Sequence, residues 1–272
     1  MQSRFRKVIA TTAFVVVGIV MSLPIAGQAP AYRASRTADG KPNFNGIWQA
    51  LNTANWDLED HVAVAGLPQL GVLGVTPPGQ GVVEGGEIPY QPAALKQKQE
   101  NAQTRPGGDP EAKCYLPGVP RAAYMPFPFQ IIQSTNKIML VYGFAEANRT
   151  VHMDKANPEP APIDTWMGRS HGRFEGQTLV VDVAGLNGQA WFDRAGNFAS
   201  ENVRIVERYT LTGPDHIMYE ATIEDPTVFT RPWKISMPLY RRKEKNARVL
   251  EFKCMEFSEE LLYGHLKQKS ER

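Results

Sequence analysis

The chain has 272 residues, 42% hydrophobic and 21% charged, with 30 Lys and Arg against 28 Asp and Glu. This composition excludes a disordered or fibrous chain, and the near-neutral balance gives no electrostatic case for nucleic acid. The 23 Gly and 21 Pro favour many turns and few long helices.

In chain order, Arg4, Arg6 and Lys7 precede an apolar run from Val8 to Leu23, and the small residues of Ala26-Gly-Gln-Ala-Pro-Ala31 follow. This is the layout of a secretory signal peptide over 1–31, with an uncleaved anchor as the alternative. Without those residues the count becomes 27 basic against 28 acidic, so the apparent basicity lies in the targeting segment. No other apolar run is long enough to span a bilayer after cleavage. Residues 32–127 read as an irregular wrapping segment. They carry Thr76-Pro-Pro-Gly-Gln-Gly81 and Pro117-Gly-Val-Pro120, with one short helix expected from Pro92 to Gln103. Trp48 and Trp56 in this segment need a core to lean on.

Residues 128–272 read as an antiparallel β domain that forms one structural unit with the wrapping segment. Strands are expected near 129–134, 138–144, 149–153, 168–174, 177–183, 203–211, 216–224, 232–240 and 248–256, and a helix over 258–269. Short connections make consecutive strands antiparallel neighbours. The fold class is therefore mainly β, a meander closed into a lipocalin-like barrel or folded into a sandwich. Cys114 and Cys254, the only cysteines, are expected to pair as a disulfide in an oxidising compartment.

Three places could carry chemistry. In the hairpin 168–183, a Glu175-Gly176 turn would set His171 opposite Val180 and Arg169 opposite Asp182. Arg169, His171, Arg173 and Asp182 then share one face, which is either solvated surface or the lining of a polar pocket. In the next hairpin, Glu207 falls among Val203, Ile205, Tyr209 and Leu211 on an apolar face. A carboxylate there must be paired, or its pKa rises. A four-residue loop Thr212–Asp215 would place Glu207 opposite Glu220, a pairing suited to general acid–base work, while an Arg partner would make Glu207 structural. The connection from Gly185 to Ser200 sets Trp191 beside Asp193 and Arg194, and Trp166 leads into the first hairpin. The 185–200 loop either closes over a pocket mouth or is simply tacked down by Trp191, and Trp166 stands open in the same way.

The candidates for catalysis are Glu207, Glu220, Asp193 and His171. For ligand binding they are Arg169, Arg173, Asp182, Trp166 and Trp191. The five His lack metal-ligand spacing, and no nucleotide or metal-hydrolase signature occurs, so no metal or cofactor is expected. Three readings stay open: a binder of a small organic or carbohydrate-like molecule, a hydrolase, lyase or isomerase using paired carboxylates, and a structural envelope subunit.

The chain also resembles a family of exported bacterial proteins of unknown function. The residues that carry this are Asp39-Gly-Lys-Pro-Asn-Phe-Asn-Gly-Ile-Trp48, Pro117-Gly-Val-Pro-Arg121, the Trp166–Asp182 stretch, Asp193-Arg-Ala-Gly196 with Ser200-Glu201, Glu207-Arg208, and Asp225-Pro226 with Pro232-Trp233. The resemblance implies a periplasmic or surface location and carries over no functional residue. The family pattern has an aromatic or His at Arg169, an aliphatic residue at His171, and Trp and Asp at Phe174 and Gln177. The Gly46-Ile-Trp48 segment is also similar to the start of lipocalins.

Overall fold

The computed structural model describes residues 32–65, 75–104, 107–153, 163–252, 254–255, 262 and 264–266. The expected signal segment and most of the expected C-terminal helix lie outside these residues, apart from a 3-10 turn at Gly264–Leu266. No described helix is long and apolar enough to cross a membrane.

Alternation of side chains builds a closed β-barrel. Its strands are β1 (Gly46–Ala50), β2 (Phe129–Gln133), β3 (Lys137–Tyr142), β4 (Asn148–His152), β5 (Arg169–Glu175), β6 (Thr178–Ala184), β7 (Arg204–Gly213), β8 (His216–Glu224) and β9 (Trp233–Arg241). Each pairs with the next, and β1 closes the ring against β9. Every pairing is antiparallel except β4–β5, which is parallel and joined by only Val151↔Ser170 and His152↔His171. The expected helix spans Pro92–Thr104 (α1) and is held to the 185–200 connection by Asn101 Nδ2 donating to the Gly196 carbonyl at 3.1 Å.

Eight strands fall where the alternation places them, and the ninth differs. Residues 248–252, 254 and 255 form no strand. Phe252 there packs on Phe127 and Phe144, and Cys254 is bonded to Cys114. That disulfide clamps the tail to the irregular segment across 140 residues of sequence. The closing strand is instead β1, taken from within 32–127. Gly46 permits it, because it holds φ +146 and a Cβ there would lie 2.1 Å from the Arg241 guanidinium.

Inward-facing residues fill the barrel. Ile131, Ile138, Leu140, Val151, Leu179, Val181, Ile205, Ile217, Ile223, Ile235 and Leu239 are all essentially buried. Each such side chain contributes roughly 1.5–3 kcal/mol of transfer free energy. One end is floored by Trp48, whose indole donates to the Phe44 carbonyl and lies 4.2 Å beneath the Arg241 guanidinium. The other end, the mouth, is plugged by the irregular segment and the 185–200 connection.

Candidate functional site

Within the barrel the one ionic cluster among the described residues sits between β4 and β7. Alternation turns Arg149 and Glu207 inward, at 4% and 0% exposure. Arg149 Nη1 donates to Glu207 Oε2 at 2.6 Å, while the Tyr209 and Tyr219 hydroxyls donate to Oε1 at 3.0 and 2.8 Å. Arg149 also reaches Ser170 Oγ at 3.4 Å and Tyr209 Oη at 3.3 Å. Burial alone would favour a neutral Arg149, but the Glu207 charge beside it holds the guanidinium protonated well above its ordinary range. Burial pushes the Tyr142 hydroxyl up to about 12 and those of Tyr209 and Tyr219 well above their usual value. Tyr209 and Tyr219 therefore stay neutral donors to Glu207, and the cluster is a cross-barrel strut in which both Glu207 oxygens are bonded while Arg149 Nε and the Tyr142 hydroxyl have no hydrogen-bond partner among the described residues.

The expected Glu207–Glu220 pairing is corrected. A register shift between Leu211 and Gly213 places Glu207 opposite Ala221 and Arg208 opposite Glu220. Thr212 absorbs one extra residue, and a one-residue slip sends the second carboxylate to the outer face. There Glu220 accepts from Lys234 Nζ at 2.9 Å.

The first hairpin is corrected too, by two residues. Gly176, at φ +61, and Gln177 form the turn, so His171 faces Asp182 and Arg169 faces Ala184. An even shift keeps the same side chains on the same face, and that face is outward. Arg173 and Asp182 are ion-paired there at 53% and 51% side-chain exposure, and Glu175 bridges Arg173 to Arg208. Arg169 is half-buried on the same strand. His171 is buried and stacks on His152 across the parallel seam, ring centroids 5.6 Å apart.

Asp193 belongs to the mouth. Its carboxylate accepts from Leu58 N at 2.9 Å, Ala195 N at 2.9 Å, Asn197 N at 3.2 Å and Asn197 Nδ2 at 2.6 Å. Burial, and then the Asp57 charge, push its pKa up to about 7 against these N–H donors. A second ionic knot lies beside it. Buried Arg121 grips Asp109 with two bonds of 2.9 Å and reaches Asn55 Oδ1 at 2.8 Å. Burial opposes the Arg121 charge, and Asp109 more than restores it. Arg194 binds Glu111 at 3.0 Å. Trp191 is buried, and its carbonyl accepts from Arg121 at 3.5 Å.

A cleft opens at the same end, lined by Trp166, Val119, Leu186, Phe192, Ala199 and Val203, with Asn187, Gly188, Ala190 and Ser200 completing it. Its volume is about 20 Å³, room for about one water-sized group. Trp166 stacks on Tyr115 with centroids 4.9 Å apart and planes at 13°, and Tyr115 is half exposed.

Of the residues expected from sequence, Trp166 borders the cleft, and Trp191 and Asp193 hold the loop that forms one of its walls. Glu207 lies in the interior strut, while Glu220, Arg173 and Asp182 lie on the outer wall. Missed were Arg149, Arg121, Asp109 and Tyr115. Arg149 was detectable, because alternation with Val151 aims it inward. No family model matches the chain, and no curated protein matches it either.

Proposed function

We propose that the protein is an exported β-barrel that binds a small organic or carbohydrate-like molecule at its mouth, beside Trp166, rather than inside the barrel. The observation that carries this reading is the contrast between a filled interior and an aromatic-bordered cleft. Inside, apolar side chains pack against each other and both Glu207 oxygens already accept hydrogen bonds. At the mouth, the Trp166–Tyr115 stack borders a slot with Asn187 and Ser200 among its walls. Concave aromatic sites with a few polar groups are the usual form of a small-molecule site. Export is supported by the basic, apolar and small-residue order of 1–31 and by the Cys114–Cys254 disulfide.

The acid–base reading rests best on Asp193, whose carboxyl is pushed up to about 7. Its zero exposure and its backbone donors support a loop-folding role instead. Isothermal titration of the protein and of Trp166→Ala against 1-anilinonaphthalene-8-sulfonate and simple sugars tests the reading. Binding that the substitution weakens supports it, and binding indifferent to Trp166 counts against it.

A further inference from the structure

Resting on the mouth cleft as the binding place, we propose that its ligand is a pyranose bearing an acetamido group, an N-acetylated hexosamine. Size comes first. A slot of about 20 Å³ accepts one methyl-sized group and no ring. The bulk of the ligand therefore stays outside, and a single small substituent enters.

The slot's chemistry selects that substituent. Its walls are mainly apolar, from Val119, Leu186, Phe192, Ala199 and Val203. A hydroxyl pushed among them would lose its hydrogen bonds to water, whereas a methyl loses none. No charged side chain lines the slot, which disfavours a carboxylate or an amine. Gly188 lets one wall of the slot pack closely on the Ser200–Glu201 backbone, because it holds φ +66 and a Cβ there would lie 2.5 Å from the Glu201 backbone nitrogen.

Asn187 supplies a polar group beside the methyl site. Its Oδ1 accepts from Gln189 N at 3.1 Å, while its Nδ2 has no partner among the described residues. A free amide donor next to an apolar methyl site matches the two halves of an acetamide, carbonyl and methyl. The Trp166–Tyr115 stack then offers an aromatic surface to the C–H face of a sugar ring.

The test is calorimetric titration of the full chain with N-acetylglucosamine, glucose and 1-anilinonaphthalene-8-sulfonate, with the Trp166 indole NH followed by NMR. N-acetylglucosamine is expected to bind at least roughly tenfold more tightly than glucose, as a buried methyl typically discriminates. Asn187→Ala, with an unchanged unfolding transition, is expected to remove most of that preference, and Ala199→Val, which fills the slot, to abolish it. Equal affinity for glucose and N-acetylglucosamine overturns the acetamido assignment. So does 1-anilinonaphthalene-8-sulfonate binding that shifts the Trp166 signal while neither sugar binds, and in both cases mouth binding survives. If no probe shifts the Trp166 signal, the mouth reading falls with it.

Discussion

The interior strut and the mouth both bury charge, but they do so in opposite ways. Arg149 and Glu207 project into the barrel from β4 and β7 of one closed sheet, and their partners, Tyr209, Tyr219 and Ser170, also come from strands. At the mouth, Asn55, the Asp109–Arg121 stretch and Asp193 come from non-strand segments that are far apart in sequence. The strand-built cluster bonds both Glu207 oxygens and is surrounded by packed, buried side chains. The loop-built one leaves a cleft beside it. The strands pack around their buried pair without a cleft, whereas the loops that meet at the barrel end leave a gap shaped by glycine and small residues. That gap is the cleft beside Trp166 at which we propose a ligand binds.

The contrast can be broken first at the strut. Glu207→Gln removes the carboxylate and leaves Arg149 buried without a counter-charge, which is expected to cost about 3–5 kcal/mol in urea unfolding. Replacing both residues together, Arg149→Met with Glu207→Leu, is expected to recover most of that loss. A small cost for the single change would show that water reaches the strut and that the interior is not closed.

At the mouth the corresponding probe is pH. Asp193 has a folded-state pKa of about 7 against an ordinary 3.8, so between these values the native state holds a proton that the unfolded chain has lost. Stability is therefore expected to fall as pH rises from 4 to 7, by roughly 2–4 kcal/mol, and to level off above that. Asp193→Asn should flatten this slope. A wild-type profile that rises across the same window would mean the backbone donors keep Asp193 ionised.

The disulfide sharpens the comparison, because it ties the tail to the mouth side and not to the barrel wall. Cys114→Ser with Cys254→Ser is expected to lower stability by about 2–4 kcal/mol. Hydrogen exchange should loosen around 110–128 and 247–255 well before the β6–β8 strands respond. The smallest effect belongs to the outer wall. Arg173→Ala breaks an exposed pair with Asp182 and should cost no more than about 1 kcal/mol of stability, read as a small shift of the thermal midpoint.

Legibility followed the same division. Strict alternation in Val203–Leu211 and His216–Glu224 placed the strands and turned Glu207 inward, because period-2 patterning is local. Register was less legible. The Thr212 irregularity and the Gly176-Gln177 turn each moved the pairing by a backbone detail that composition does not encode, and at Thr212 the move was enough to separate Glu207 from Glu220. Strand β1 was hidden because Gly46–Ala50 is short and flanked by irregular chain, and its partners are the distant β2 and β9. The mouth was least legible. Arg121 meets Asp109 and Asn55 only once the wrapping segment has folded over the barrel, and no spacing in the sequence announces that contact.

The central claim is that ligands bind at the mouth and not in the barrel. Calorimetric titration of 1-anilinonaphthalene-8-sulfonate into Trp166→Ala and Tyr219→Phe, side by side with the unaltered chain, tests it most directly. Trp166→Ala is expected to weaken binding by about tenfold or more, and Tyr219→Phe to leave it unchanged. The reverse pattern, with loss on altering Tyr219 and none on altering Trp166, would place the ligand inside the barrel and contradict the account.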